Sequence, residues 1–241
     1  WIHGPTNGPS ERSLHAMVYD RDRKVTVLFG GRKNTTLLGD TWEFDGSRWI
    51  QRSVTGPSPR AGVTMAYDSL RKRCVLFGGT VTGGRSAETW EWDGSTWTLA
   101  ATSGPPSAAG VSLVFDAARA ETVAYGFNND ATGTWAWNGS AWRRVDGGGP
   151  SSFNTQTQSM VYNPLTERIV LFGDSNRRNE VWEWDGARWA RAIAAPIGVR
   201  HSSAMCFDSV RGEMLLFGGS CLLNRYYSDL WSLGSSGWHA L

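Results

Sequence analysis

Short runs in which large residues alternate with polar ones, each stopped by a turn, recur along the chain. In Trp42-Glu43-Phe44-Asp45-Gly46-Ser47-Arg48-Trp49 an Asp-Gly pair is flanked by such alternation. This is a hairpin signal, because a type I′ turn needs positive φ at both central positions. The pattern returns at Trp90/Trp97, Trp135/Trp142, Trp182/Trp189 and Trp231/Trp238. With Asp45-Gly46 as a two-residue loop, Trp42 is predicted directly across from Trp49 and Glu43 across from Arg48.

Two further blocks precede each hairpin. One ends in Leu28-Phe29-Gly30-Gly31, Leu76-Phe77-Gly78-Gly79, Ala124-Tyr125-Gly126-Phe127, Leu171-Phe172-Gly173-Asp174 and Leu216-Phe217-Gly218-Gly219. These read as apolar strands stopped by glycine. Before them stand Ala16-Met17-Val18-Tyr19-Asp20 and its counterparts beginning at Thr64, Ser112, Ser159 and Ala204. Each repeat is therefore predicted to hold four antiparallel strands, a to d. The first Trp of each pair advances by 48, 45, 47 and 49 residues, a period typical of propellers and solenoids.

These blocks resemble the Kelch family, whose repeat pairs a strand ending in Gly-Gly with a downstream Trp. The wording Asp40-Thr41-Trp42-Glu43-Phe44-Asp45-Gly46 is similar to its bacterial branch. The resemblance covers essentially the whole chain and departs from the pattern at Gly126-Phe127 and Gly173-Asp174. It implies an all-β, five-bladed propeller with four antiparallel strands per blade, and a secreted or periplasmic setting. The family includes scaffolds, sugar-active proteins and a few enzymes, so the likeness speaks to architecture and leaves chemistry open.

The unbroken repeat predicts a single domain over 1–241, with repeats at about 12–52, 60–100, 108–145, 153–192 and 200–241. Residues 1–11 add an extra outer-strand segment: Trp1 precedes Arg12 by the interval that separates Trp49 from Arg60. Six candidates for strand d thus accompany five copies of strands a to c. Five blades are expected, with six or more in a longer parent as the alternative.

A net charge of +2 is far from the basic stripe of a nucleic-acid binder. No apolar run is long enough to span a membrane, and a monomer is expected. Cys74 and Cys206 fall at apolar strand positions, where a free thiol acts as a small hydrophobe. With Cys221 the count is odd and no Cys-x-x-Cys spacing occurs. That favours reduced cysteines, leaves a Cys206–Cys221 bridge open, and gives no metal or cofactor set.

Candidate chemistry is sought where the copies differ. All 14 tryptophans follow the repeat, so packing accounts for them. Glu43/Arg48 recurs as Glu183/Arg188 and is lost jointly in the third and fifth hairpins, which reads as an exposed cross-strand pair worth at most about 1 kcal/mol. An acid stands two residues before the hairpin Trp as Asp40, Glu88, Glu180 and Asp229, and an Arg opens strand a as Arg12, Arg60 and Arg200. The third repeat lacks both, having Ala108 and Gly133. Arg–carboxylate pairing within or between blades is one reading of this, since the guanidinium fork meets a carboxylate in two places.

The other reading is a ligand site. Variable b–c loops should share a face with the strand-a Arg residues, and loops on a rigid scaffold often carry binding. They supply Arg32, Arg85, Asn128, Asn129, Arg178, Arg225 and Tyr226, joined by Phe153 from the fourth repeat. A pocket basic on the side of Arg12, Arg60 and Arg200 and amide-rich on the other would suit a small anionic, sugar-like or peptide ligand. His201 with Glu180 is a catalytic candidate, as an acid–base pair across adjacent blades. The sequence therefore leads to a binding module at the channel mouth. Two alternatives stay open: a small lyase, cyclase or glycan-active enzyme using the same pocket, and a structural repeat domain cut from a larger cell-surface protein.

Overall fold

The computed structural model describes residues 7–107, 111–126, 133–145, 148–150, 158–175, 178–192, 196–200, 202–221 and 225–241. It is a five-bladed β-propeller. Each blade is a four-stranded antiparallel meander whose strands pair in sequence order from the channel outwards. Blade I comprises Ala16–Asp20, Val25–Phe29, Thr41–Phe44 and Trp49–Arg52. The inner strands of blades II to V are Thr64–Asp68, Ser112–Asp116, Ser159–Asn163 and Ala204–Asp208. No helix is long and apolar enough to cross a membrane among the described residues.

The hairpin register differs from the sequence expectation. Phe44 faces Trp49 and Trp42 faces Gln51, so four residues, 45–48, form the loop. The aspartate decides this: Asp45 Oδ1 accepts the amides of Ser47 at 2.8 Å and Arg48 at 2.9 Å, while Gly46 takes φ +97°. An Asx turn of this kind replaces the backbone pairing a two-residue loop would need. Asp93, Asn138 and Asp185 repeat it. Moving the partner by two residues keeps each side chain on its expected face, so the indoles still reach the blade interfaces.

The slip relocates Glu43. It lies opposite Ile50 rather than Arg48 and is 1 % exposed. Arg23 and Arg52 each reach its carboxylate at 2.6 Å, and the Trp92 indole of the next blade donates to it at 3.0 Å. The predicted exposed Glu43/Arg48 pair is therefore a buried junction, and Arg48 turns to Asp45 at 3.4 Å instead. Likewise Glu183 meets Arg168, and Arg188 meets Asp185. The Asp closing the inner strand serves the same joint in blades I and II: Asp20 caps its own turn through the amides of Asp22 and Arg23 and aims the Arg23 guanidinium at Glu43, as Asp68 aims Arg71 at Glu91.

Blades stack through aromatic residues. Phe29 meets Trp97 edge-on at 5.3 Å, and the Trp97 indole donates to Thr41 at 2.9 Å across the I–II junction. Trp142 to Thr89 and Trp189 to Thr134 repeat that bond at 2.7 Å. Indoles suit this role because they bury a large apolar area and still place one N–H on a partner. All three cysteines are free thiols. Cys74 is buried as expected, with burial pushing its thiol pKa up, whereas Cys206 is exposed.

Candidate functional site

Five inner strands line the channel, and its two ends differ. Where those strands begin, a cavity of about 490 Å³ is lined by residues of every blade. The small ribbons after the second strands rise on this side. Arg32–Lys33 pairs with Thr36–Leu37, Thr80–Val81 with Gly84–Arg85, and Ser220–Cys221 with Arg225–Tyr226. Bridges from Ser13 to Arg32 and from Ala61 to Thr80 tie the first two to the approaches to the inner strands.

The cavity exposes more polar than apolar surface; among its lining residues Met17, Met65, Leu113, Met160 and Met205 hold one position of the five copies, and Met65 and Leu113 are largely buried in the blade junctions. Beside them stand the hydroxyls of Thr64, Ser112 and Ser159, with His15 and Gln158 at the start of two strands. Gln158 donates through Nε2 to the Tyr125 carbonyl at 2.9 Å, which fixes its amide. Ser112 Oγ donates to the Gln158 carbonyl, and Ser159 Oγ to that of Ser203. His15 Nδ1, Gln158 Oε1 and Ser203 Oγ find no hydrogen-bond partner among the described residues. Three polar atoms with unused capacity at one channel end mark a place where a polar group is wanted. Burial, helped by the charge of Arg12, lowers the His15 pKa. A neutral imidazole has one donor and one acceptor nitrogen.

The three strand-a arginines are each held by an acid of their own blade. Arg12 grips Asp40 with two bonds, 2.6 and 2.9 Å, and also donates to the Gly30 carbonyl. Arg60 reaches Glu88 at 2.6 Å and the Gly78 carbonyl at 3.1 Å. Arg200 holds Asp229 at 2.5 and 2.9 Å and the Gly218 carbonyl, with the Tyr227 ring 4.1 Å from its guanidinium carbon. The hairpin indoles of Trp42, Trp90 and Trp231 donate to the same acids. For Asp40 and Glu88 burial opposes ionisation, and the Arg and Trp hydrogen bonds outweigh it, so both pKa values are lowered. Asp229, bonded first by Arg200, is lowered to about 2.

Arg32, Arg85, Arg225 and Tyr226 are exposed on the ribbons of the cavity side. Neither Arg32 nor Arg85 has an acid partner among the described residues. Arg225 lies 5.5 Å from the Tyr227 ring centre. Glu180 accepts from the Trp182 indole and pairs with Arg191 at 3.2 Å, a partner not foreseen from sequence. Asn128, Asn129, Phe153 and His201 lie outside the described residues, as does the side chain of Arg178. Sequence reasoning missed His15 and Gln158 as ligand candidates. The available signal was their departure from Val63 and Val111, which occupy the equivalent position in blades II and III.

At the opposite end, a cavity of about 440 Å³ is ringed by Tyr19, Tyr67, Phe115, Tyr162 and Phe207, one aromatic residue per blade. Among the described residues no group of three or more His, Cys, Asp or Glu is placed to hold a metal ion.

No family model and no curated protein matches this chain. Among solved structures, that of YjhT, a β-propeller, superposes with a TM-score of 0.70 over 98% of this chain and 85% of that chain, at 13% sequence identity. At that identity the likeness is one of fold.

Proposed function

We propose that the protein is a binding module that takes a small, polyhydroxylated, sugar-like ligand at the channel end from which the ribbons rise. The observation that supports this most is a mainly polar cavity edged by methionines, with unused hydrogen-bonding atoms on two of its lining residues, His15 and Gln158. A sugar ring has the same division, with hydroxyls at its edge and C–H groups on its faces. Met side chains adapt their shape to such a face.

An anionic substituent would be met by Arg32 and Arg85. Each charge-assisted hydrogen bond they form contributes about 1.5–3 kcal/mol. Arg12, Arg60 and Arg200 act behind the site, holding the ribbon bases in place through the Gly30, Gly78 and Gly218 carbonyls.

Calorimetric titration with neutral hexoses, hexuronic acids and a short acidic peptide tests the reading. A hexose or hexuronic acid should bind, and His15→Ala or Gln158→Leu should weaken it at least tenfold, with Arg188→Ala unchanged. Equal losses in all three variants, or binding of the peptide alone, would refute a sugar site at this mouth.

A further inference from the structure

Four junctions between consecutive blades share one plan. The side of each blade turned to its successor places small or β-branched residues and an aromatic ring against Met, Leu and Trp side chains of the next blade. At I–II these are Val18, Val27 and Phe29 against Met65, Leu76 and Trp97. The ring contact recurs as Phe77–Trp142, Tyr125–Trp189 and Phe172–Trp238. The inner strands of I–II, II–III, III–IV and IV–V pack along their length, while nothing comparable joins Ala204–Asp208 to Ala16–Asp20.

The two faces at that fifth junction are correspondingly open. Met17 and Tyr19 are 51% and 55% exposed, whereas Met65, Leu113 and Phe115, at the matching positions, are buried. On blade V, Ala204 and Cys206 are exposed, whereas Ala16 and Ala66 at the matching positions of blades I and II are buried. Trp49 donates no indole hydrogen bond among the described residues, where Trp97, Trp142 and Trp189 each reach a threonine of the preceding blade. The approach to blade I is nonetheless that of a blade with a predecessor. A Cβ on Gly8 would lie 2.7 Å from Trp49 Cδ1, as one on Gly56 would lie 2.6 Å from Trp97 and one on Gly104 2.5 Å from Trp142. Gly56 and Gly104 each follow by seven residues the Trp that opens the preceding blade's outer strand, and Gly8 follows Trp1 by the same interval. Blade V already has its own outer strand, Gly237–Ala240.

We infer that this seam is the seat of a sixth blade, filled by a segment carrying one more copy of the repeat's three inner strands. The four packed junctions define its chemistry. Toward blade V it presents Met or Leu on its inner strand. Toward blade I it presents small or β-branched residues, an aromatic ring ending its second strand, and a threonine opening its third to accept from Trp49. Such a blade covers an apolar surface of the kind that monomeric proteins seldom leave exposed and removes the gap in the ring of inner strands.

Cys206 reports on the seam directly. Leu241 stands three residues beyond Trp238, as Arg52 does beyond Trp49, so appending residues 53–93 after Leu241 continues the repeat in register. In a Cys221→Ser background, with Cys74 buried, thiol labelling of Cys206 should be rapid in the 241-residue chain. It should slow at least tenfold in the extended chain, relative to a chain extended by a Gly-Ser linker of equal length. Equal rates in the two extended chains would overturn the inference, as would slow labelling of the unextended chain. Sedimentation then shows whether blades V and I have closed within a monomer or a second copy covers them. A second test needs no extension, because Cys206 and Met17 hold the positions of Val18 and Met65 at the packed I–II junction. Under mild oxidation Val18→Cys/Met65→Cys should cross-link, whereas the thiol introduced by Met17→Cys should not join Cys206. A disulfide between that introduced thiol and Cys206, forming as readily as the control, would also overturn it.

Discussion

Replacing Arg60 by alanine tests the structural role of the Arg–acid pairs. Arg60 is fully buried, and its guanidinium bonds Glu88, the Gly78 and Ser58 carbonyls and the Ser58 and Ser86 hydroxyls. Removing one partner of a buried pair costs about 3–5 kcal/mol, because the other charge is stranded. Here the Glu88 side chain is 36% exposed and retains the Trp90 indole, so water relieves part of that cost and the lower end applies. The unpaired Gly78 carbonyl adds about 1–3 kcal/mol. A loss of about 4–6 kcal/mol is expected, which for a chain of this size lowers Tm by roughly 8–24 °C. Urea unfolding followed by tryptophan fluorescence should show the drop in midpoint with an unchanged slope. Glu88→Gln keeps a neutral acceptor beside Arg60 and should cost less than Arg60→Ala. A loss below about 1 kcal/mol in Arg60→Ala would refute the structural role.

Acid should weaken the same joints. The Asp229 pKa is lowered from 3.8 to about 2 and those of Asp40 and Glu88 are lowered as well, so their stabilisation is complete above the unfolded-state values and is lost as pH falls through the folded ones. Unfolding midpoints should therefore decline below pH 4, and Asp229→Asn should flatten that decline. Gly56→Ala should destabilise by about 1–3 kcal/mol in urea unfolding, since its Cβ would press on Trp97. Ligand affinity should fall as pH drops below the ordinary histidine range, where His15 becomes protonated, and His15→Gln should remove that dependence in calorimetry. Arg32→Ala should weaken a hexuronic acid more than a neutral hexose, and salt should do the same.

The blades were legible because each strand type recurs five times, and a repeated strand cannot bury its apolar face without its neighbours. The Arg–acid joints were legible from their joint absence in the third repeat, as Ala108 and Gly133. Register was not, because Asp45 offers two solutions to the same turn, and the side-chain cap that decides between them is a local hydrogen-bond choice. Glu43 followed the register error, since its burial depends on which residue of the next strand lies opposite. The channel mouth was legible only as a face. Which polar residues converge there depends on the curvature of the blade array bringing together His15 of blade I and Gln158 of blade IV. Arg12, Arg60 and Arg200, read from sequence either as ligand groups or as partners of the acids before the hairpin Trp, are each held by an acid of their own blade.

A crystal structure of the protein soaked with the tightest-binding member of the sugar panel tests the central claim most directly. The account predicts one ligand over Met17, Met65 and Met160, with a ring hydroxyl bonded to His15 or Gln158 and any carboxylate turned toward Arg32 or Arg85. A ligand stacked among Tyr19, Tyr67 and Phe115 at the other end of the channel would contradict it.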